Sequence, residues 1–373
     1  MTRVVVVGAG LLGAAVADRL AAGGAEVTVV EADRPGAGTS GTSFAWVNAQ
    51  DKAPAAYFAL NVAGVAAHRE LARTLGGDWY HPGGDILVGR GEAASRVRER
   101  LERHRALDYD VVELDRAAVS VLEPDLDLRG DGAFAAARFP SEAWIDPPAL
   151  IGRLLRRARS CGARILRGAE VVDLETRNGR LVEIATRSGD RLTADLFVLA
   201  AGTATGRLAG LAGIALPMAP TPGVLAITAP TAVTVSHVIH ADEVTLRPDG
   251  AGRLMLSSRH IDTALDPAIR DVATDAAPSL DLLARARRLI PNLGDAPLEA
   301  ARIGVRSVAA DGLPVAGFAP SVDNLYLLVS HSGVTLAPVF GELVAGELLG
   351  ERHEDLEPYR LTAARMEERP RGG

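Results

Sequence analysis

The apolar and polar positions at the start of the chain predict a strand, a helix and a second strand. Residues 4–7 form the uninterrupted run VVVV, which is typical of a strand buried on both faces of a parallel sheet. The pair Gly23-Gly24 predicts the end of the helix, whose apolar stripe at helical spacing is formed by Leu12, Val16 and Leu20. Residues 27–30 predict the second strand, which ends at Glu31.

Further along, the pattern predicts helices mixed with turn-rich strand segments. Helices are predicted at residues 53–75 and 92–107, and from Asp146, where Asp-Pro-Pro is typical of a helix start. Buried strands are predicted within residues 194–205 and at the start of residues 323–350, where a turn and a helix follow. Residues 237–258 predict two strands around a Pro-Asp-Gly turn. This mixture predicts an α/β fold that also contains an antiparallel sheet.

Three glycines join the first strand to the first helix. Gly8, Gly10 and Gly13 have G-x-G-x-x-G spacing, which permits a tight turn, a close approach of pyrophosphate to the backbone, and close packing of helix on strand. The N-terminus of the helix offers N–H groups and a positive dipole end to phosphates. Glu31 lies where a carboxylate can accept hydrogen bonds from an adenosine ribose. Together these features predict a dinucleotide site.

The segment that follows, residues 31–52 (EADRPGAGTSGTSFAWVNAQDK), is rich in glycine and hydroxyl residues and then contains Phe44 and Trp46. In a flexible surface loop these aromatic residues would expose apolar area. We therefore expect the segment to wrap around a ligand.

Composition narrows the classes of protein. The 373 residues carry a net charge of -7, which argues against a nucleic-acid partner. The single cysteine, Cys161, excludes an internal disulfide and a multi-cysteine metal site, and it fits a cytoplasmic location. We expect no metal site and no integral membrane span, since no apolar run is long and uninterrupted enough. Lys52 is the only lysine beside 39 arginines, a bias typical of genomic composition.

The first strand–helix–strand unit does not by itself separate NAD from FAD. A nicotinamide dehydrogenase is expected to continue with alternating strands and helices after Glu31, and this chain does not. With residues 34–44, 144–165, 198–205, 303–320 and 330–345, the chain resembles the FAD-dependent amine and D-amino-acid oxidase family, which includes glycine oxidase, sarcosine oxidase and D-amino-acid dehydrogenases.

The resemblance implies a Rossmann-type FAD-binding domain with an interleaved antiparallel-sheet (α+β) substrate domain. The FAD domain would use residues 1–80, 140–215 and 300–373, and the substrate domain residues 81–139 and 216–299. The proline-rich stretch at residues 216–223 agrees with a crossing between domains.

The resemblance also implies which residues hold the FAD, non-covalently, since Cys161 is far in sequence from the flavin-facing segments. These are Gly8, Gly10, Leu11, Leu12, Gly13, Glu31, Ala32, Arg34, Thr39, Ser40, Thr42, Ser43, Val171, Val172, Ala200, Ala201, Gly202, Arg306, Ser332, Gly333, Val334, Thr335 and Leu336. The hydroxyl groups and backbone after Glu31 would follow the pyrophosphate, and Phe44 and Trp46 would pack near the ring. The N–H groups at residues 333–336 would stabilise negative charge on the reduced ring.

Four residues are candidates for the chemistry. Arg306 is expected to bind a substrate carboxylate through its planar fork, although the family usually has proline where Ser307 follows, and pairing with Asp311 is an alternative. His331 lies where glycine oxidase has a second arginine; it could bind a carboxylate when protonated, shape the pocket, or be a core residue. His240 and Lys52 are the remaining candidates, for the pocket wall and for oxygen reduction respectively.

The function implied is oxidation of the C–N bond of an amino acid or small amine, by hydride transfer to flavin N5, giving an imine that hydrolyses. The partners would be that substrate and O2 or another electron acceptor. Two alternatives are a sarcosine-type N-methyl amine oxidase and a flavoprotein subunit of a larger dehydrogenase.

Overall fold

A computed structural model describes residues 1–130 and 132–367 of the chain. Within these residues the strands are β1 (Arg3–Val7), β2 (Glu26–Val30), β3 (Trp46–Val47), β4 (Tyr80–Pro82), β5 (Asp85–Arg90), β6 (Val112–Leu114), β7 (Phe134–Phe139), β8 (Ala143–Ile145), β9 (Arg164–Leu166), β10 (Val171–Arg177), β11 (Arg180–Thr186), β12 (Arg191–Leu192), β13 (Leu196–Leu199), β14 (Thr221–Thr228), β15 (Val238–His240), β16 (Thr245–Pro248), β17 (Leu254–Ser257), β18 (Leu298–Arg306), β19 (Val315–Ala319) and β20 (Val322–Val329). The helices are α1 (Leu11–Ala22), α2 (Ala55–Leu75), α3 (Ala93–Ala106), α4 (Arg116–Leu122), α5 (Pro147–Ser160), α6 (Thr205–Leu211), α7 (Arg259–Thr263), α8 (Ala277–Leu289), α9 (Gly333–Leu348) and α10 (Ala363–Met366).

The chain divides into two compact units, each made of separate segments. The first unit contains residues 1–80, 145–221 and the chain from 305 onwards, and the second contains residues 81–144 and 222–304. Assignment of the first unit to FAD and the second to substrate stays a prediction.

A parallel sheet forms the centre of the first unit. Its strands lie in the order β19-β20-β13-β1-β2-β9, and only β19 runs antiparallel to its neighbour. The apolar run of β1 is buried along residues 4–7, as expected of a central strand with both faces covered. The predicted unit β1–α1–β2 is confirmed.

Helices α5 and α9 pack against α1, and each contact has a specific chemical basis. Asp18 on α1 is 1% exposed and accepts two hydrogen bonds from the guanidinium of Arg157 on α5. Gly341 on α9 lies so close to Ala15 on α1 that a Cβ would come within 3.0 Å of the Ala15 backbone. The predicted start of α5 is also confirmed, since Asp146 accepts a hydrogen bond from the backbone N–H of Ala149 at 3.0 Å.

The second unit is built on a largely antiparallel sheet with the order β18-β14-β17-β16-β15-β5-β7-β6. The prediction of two strands within residues 237–258 was wrong, because three strands form there: β15, β16 and β17. The predicted Pro-Asp-Gly turn joins β16 to β17, but a second turn, closed by the N–H of Ala241 and the carbonyl of Val244, separates β15 from β16. That turn contains neither glycine nor proline, so the strongest sequence signals for a turn are missing there.

Candidate functional site

The turn between β1 and α1 has the geometry that its glycines predict. Gly8 has a φ of 105°, and a Cβ on it would lie 2.5 Å from the carbonyl oxygen of Ala200. A Cβ on Gly13 would lie 2.0 Å from the carbonyl oxygen of Gly8. Any side chain at either position would therefore force the strand, the turn and the helix apart. Ala201 and Gly202, predicted to contact the cofactor, follow Ala200 directly at the end of β13.

The N-terminus of α1 presents backbone donors beside the hydroxyl-rich loop. Its first intrahelical hydrogen bond runs from Ala14 to Gly10, so the N–H groups of residues 11–13 come before it. Ser40 Oγ accepts from the N–H of Leu11 at 3.1 Å, which leaves the Ser40 hydroxyl hydrogen to donate to an anion at this helix end. The Ser40 hydroxyl, one of those predicted to follow the pyrophosphate, thus lies at the N-terminus of α1.

The other hydroxyls of this loop have partners within the protein. Thr39 Oγ1 donates to the Val305 carbonyl at 2.6 Å, and Thr42 Oγ1 donates to the Gly38 carbonyl at 3.4 Å. Ser43 Oγ accepts from the N–H of Ala45 at 3.0 Å, where Ala45 has a φ of 62°. In this structure the hydroxyl hydrogens of Thr39 and Thr42 are thus directed at carbonyls, and their contact with a pyrophosphate stays a prediction.

Glu31 receives a backbone donor on each oxygen. One oxygen accepts from the N–H of Ala9 at 2.8 Å and the other from the N–H of Asp33 at 3.0 Å. Each oxygen keeps capacity to accept a further bond, as a ribose diol requires. Val171 is buried at the start of β10, Val172 is half-buried, and Ala32 and Arg34 are exposed beside Glu31.

Helix α9 begins at the predicted flavin-facing segment. Its first intrahelical hydrogen bond runs from Leu336 to Ser332, so the N–H groups of residues 333–335 come before it. The side chains there are directed into the protein: Tyr57 donates to Ser332 Oγ at 2.7 Å, and Thr335 Oγ1 accepts from the N–H of Asn48 at 3.1 Å. Leu336 is fully buried. This turn can therefore contact a ligand through its backbone rather than through its side chains.

Three of the four predicted chemical residues share one electrostatic environment in the first unit. His331 as a whole is exposed to solvent, but nearby protein atoms bury its ring in part, and this partial burial together with the charges of Lys52 and Arg306 lowers the pKa of His331 to about 4. His331 is therefore a neutral imidazole near neutral pH, and the charges of Lys52 and Arg306 both act on it. The alternative partner of Arg306, Asp311, instead accepts from Arg365 at 2.6 Å and 3.2 Å.

His240 lies in the second unit. Its Nδ1 is 3.2 Å from Thr245 Oγ1, and its Nε2 is 3.7 Å from a carboxylate oxygen of the buried Asp85. Burial, with a smaller effect of Arg100, lowers the pKa of His240 to about 3. His237, three residues earlier, is paired with the buried Glu123 at 2.6 Å. Each ring thus has one carboxylate beside it, but the described ranges 1–130 and 132–367 contain no cluster of three or more metal-ligating side chains.

Sequence reasoning missed three buried polar residues beneath the start of α9: Asn48, Tyr57 and His68. Asn48 and Tyr57 contact Thr335 and Ser332, and His68 Nε2 lies 2.8 Å from the Val334 carbonyl oxygen. One sequence signal could have revealed His68. His68 lies four residues after Gly64 in the amphipathic helix α2. A proline within α9, Pro338, leaves one carbonyl of that helix without its usual backbone donor, and a buried side chain such as His68 can replace that donor.

These features together fit a dinucleotide such as FAD better than they fit a mononucleotide. A phosphate-accepting turn, a ribose-accepting carboxylate and a second helix N-terminus lie within one unit, as a ligand with a diphosphate between two ring systems requires. Among the described residues, no helix is long and apolar enough to cross a membrane.

Comparison with known proteins supports the same conclusion. Residues 3–347 match the DAO family model, described as FAD dependent oxidoreductase. The chain is 27% identical to the glycine oxidase of Geobacillus kaustophilus, over 96% of this chain and 96% of that protein. It is 29% identical to the D-amino acid dehydrogenase of Methylobacterium nodulans, over 72% of this chain and 66% of that protein.

A crystal structure of glycine oxidase from Geobacillus kaustophilus superposes with a TM-score of 0.85 at 25% identity, covering 97% of this chain and 99% of that chain. The family match spans most of the chain and includes the β1–α1–β2 turn, Glu31 and the N-terminus of α9. This chain therefore belongs to the DAO family of FAD-dependent oxidoreductases.

Proposed function

We propose that the protein oxidises the C–N bond of a small amino acid or a related amine that carries a carboxylate. The observation that carries this proposal is the group formed by Arg306, Lys52 and a neutral His331 in the unit that contains the dinucleotide turn. Relatives named glycine oxidase and D-amino acid dehydrogenase support the substrate class. They favour it over a sarcosine-type oxidase or a partner-dependent subunit.

FAD, when bound, supplies the acceptor for the hydride that leaves the substrate carbon. The protein residues bind and orient the substrate. In this proposal Arg306 binds the substrate carboxylate through two parallel N–H donors. This bidentate contact fixes the direction of the reacting C–H bond. His331, uncharged, can accept a hydrogen bond from the amino group, which a protonated imidazole could not do because both of its nitrogens carry hydrogen.

The backbone N–H groups of residues 333–335 are proposed to stabilise negative charge at the pyrimidine edge of the cofactor. Lys52 is proposed to lie near the same ring, where its charge would favour electron transfer to O2. The access of O2 to the ring and the charge beside the ring determine whether O2 or another acceptor reoxidises the cofactor. We also place the protein in the cytoplasm, a proposal supported by its having one cysteine in 373 residues.

The decisive experiment is anaerobic reduction of the bound FAD by candidate substrates, comparing Arg306→Lys with the parent. Lysine keeps the charge but not the fork, so the second-order rate of reduction by glycine or a D-amino acid should fall about 100-fold, as a loss of about 3 kcal/mol gives. An amine without a carboxylate should be affected much less.

The matched control is Arg3→Lys, which alters an arginine paired with Asp195 at 2.8 Å on a half-exposed surface of the same unit. Its reduction rate should equal that of the parent. Equal slowing of both substrate types in Arg306→Lys, with loss of FAD, would show that Arg306 is structural. An unchanged rate with a carboxylate substrate would remove Arg306 from the site.

A further inference from the structure

Helix α9 contains a proline in its second turn. Pro338 has no backbone N–H, so it cannot donate to the carbonyl four residues earlier, which is that of Val334. That carbonyl belongs to the first turn of α9, whose N–H groups are proposed to face the cofactor. A carbonyl buried beside a packed helix needs another donor.

His68 on α2 supplies this donor. Its Nε2 lies 2.8 Å from the Val334 carbonyl oxygen, and the residue is fully buried. Because a carbonyl only accepts, Nε2 carries the hydrogen and Nδ1 carries the lone pair. Nδ1 has no hydrogen-bond partner among the described residues. The ring also stacks on Tyr80, with centroids 6.4 Å apart and planes 8° from parallel, so its orientation is fixed by packing as well.

The approach of α2 to α9 depends on a glycine one turn before the histidine. A Cβ on Gly64 would lie 2.6 Å from the Thr335 carbonyl oxygen and 3.1 Å from Thr335 Cγ2. Gly64 and His68 are four residues apart and so lie on the same face of α2. Gly64 therefore allows a close approach of the α2 and α9 backbones. This approach brings His68 Nε2 within hydrogen-bond distance of the Val334 carbonyl oxygen.

We propose that His68 is a positioning residue for the cofactor: its Nε2–H replaces the helix donor that Pro338 lacks and thereby fixes the first turn of α9. The proposal rests on the proposed placement of the cofactor at this helix N-terminus, and on no assumption about the substrate. A buried histidine that merely fills the core would stabilise the chain without being coupled to Pro338 or to the FAD.

A double-mutant cycle separates these two roles. Pro338→Ala restores an N–H that can donate to the Val334 carbonyl, so it should make His68 partly dispensable. We expect His68→Leu to lower the thermal midpoint of the FAD-loaded protein, and we expect this loss to be at least halved when Pro338→Ala is also present. His68→Gln, whose amide nitrogen reaches about as far as Nε2, should lose much less than His68→Leu.

The cofactor itself provides the second readout, without any turnover. For His68→Leu we expect the FAD dissociation constant to rise about tenfold, which corresponds to about 1.4 kcal/mol. We also expect the visible flavin spectrum and the midpoint potential to shift. Both should return towards the parent values in His68→Gln and in the His68→Leu/Pro338→Ala double variant.

Two outcomes would overturn the proposal. In the first, the cost of His68→Leu is the same with proline and with alanine at position 338, so that the two residues are uncoupled. In the second, folded His68→Leu binds FAD with the parent affinity, spectrum and potential, so that the bond only stabilises the core. If His68→Leu does not fold, His68→Gln and Pro338→Ala still decide, because the proposal requires both to keep the parent spectrum and potential. Failure of the amino-acid substrate proposal would leave all these measurements unchanged.

Discussion

At the scale of single residues, the charge of His331 distinguishes the roles that the sequence left open for it. Partial burial and the charges of Lys52 and Arg306 lower the pKa of His331 to about 4. The imidazole is therefore neutral above about pH 5, so in the proposed site the positive charge for a carboxylate would come from Arg306 and not from a protonated histidine. This arrangement suits a site that must receive an uncharged amine next to a bound carboxylate.

The dependence of His331 on its neighbours can be measured directly. In Lys52→Met one of the two cations is lost, so the pKa of His331 should rise from about 4 towards its unperturbed 6.5. The rise should be partial, because the largest cause, burial, remains. An NMR titration of labelled histidine, with His331→Gln to identify the resonance, would measure it.

Lys52→Arg is the matched control, since it keeps the charge and should keep the low pKa of His331. A pKa that stays the same in both variants would mean that Lys52 does not act on the imidazole. The grouping of Lys52 with Arg306 and His331 would then be wrong.

At the scale of secondary-structure elements, the contact between α2 and α9 depends on Gly64, and a substitution shows how strictly. Alanine is normally preferred to glycine within a helix by about 0.5–1 kcal/mol. At Gly64, however, the added Cβ would lie 2.6 Å from the Thr335 carbonyl oxygen. Gly64→Ala should therefore destabilise the protein by about 1–3 kcal/mol, the usual cost of overpacking.

Gly152 on α5 is the matched control, because a Cβ there would meet nothing within 4 Å. Gly152→Ala should leave stability unchanged or raise it by up to about 1 kcal/mol. Urea unfolding of both variants would test the pair. Equal effects of the two substitutions would show that α2 and α9 are not in tight contact.

Elements with a strong local signal could be predicted from the sequence. The run at residues 4–7, the glycine spacing and Asp-Pro-Pro each carry their own physical reason, and β1, α1, β2 and α5 formed as predicted. The turn between β15 and β16 could not be predicted, because its backbone hydrogen bond needs no special residue. The partners of Thr39, Thr335 and His68 could not be predicted either, since each bond joins residues more than 260 positions apart.

At the scale of the whole molecule, the chain passes between its two units several times. Residues of the first unit that are proposed to hold one cofactor, such as Glu31, His68 and Val334, therefore come from distant parts of the sequence. The family resemblance supplied this connectivity as an expectation, which local pattern could not have done. Parallel strands need long crossovers, and here the crossover from β2 to its parallel neighbour β9 contains a whole segment of the second unit, residues 81–144.

Acid stability is also a property of the whole molecule. Burial lowers the pKa of His68 to about 4 and that of His240 to about 3, and His331 is lowered as well. In the unfolded chain these rings have a pKa near 6.5, so between about pH 6.5 and pH 4 the unfolded state binds more protons than the native state. Stability should therefore be at its full value above about pH 6.5 and should fall as the pH decreases through that window.

Histidines rather than carboxylates control this window. The pKa of Asp127 is lowered by Arg129, and that of Asp195 is lowered by Arg3, so the stability they contribute is present above about pH 4 and is lost only at lower pH. His68→Gln removes one buried titrating ring and should make the fall in unfolding free energy between pH 6 and pH 5 shallower by about 1 kcal/mol. Urea unfolding of the FAD-loaded protein at several pH values would measure this difference. A fall as steep in His68→Gln as in the parent would mean that His68 takes up its proton in the native state, and the hydrogen bond from Nε2 to Val334 would then not require the neutral ring.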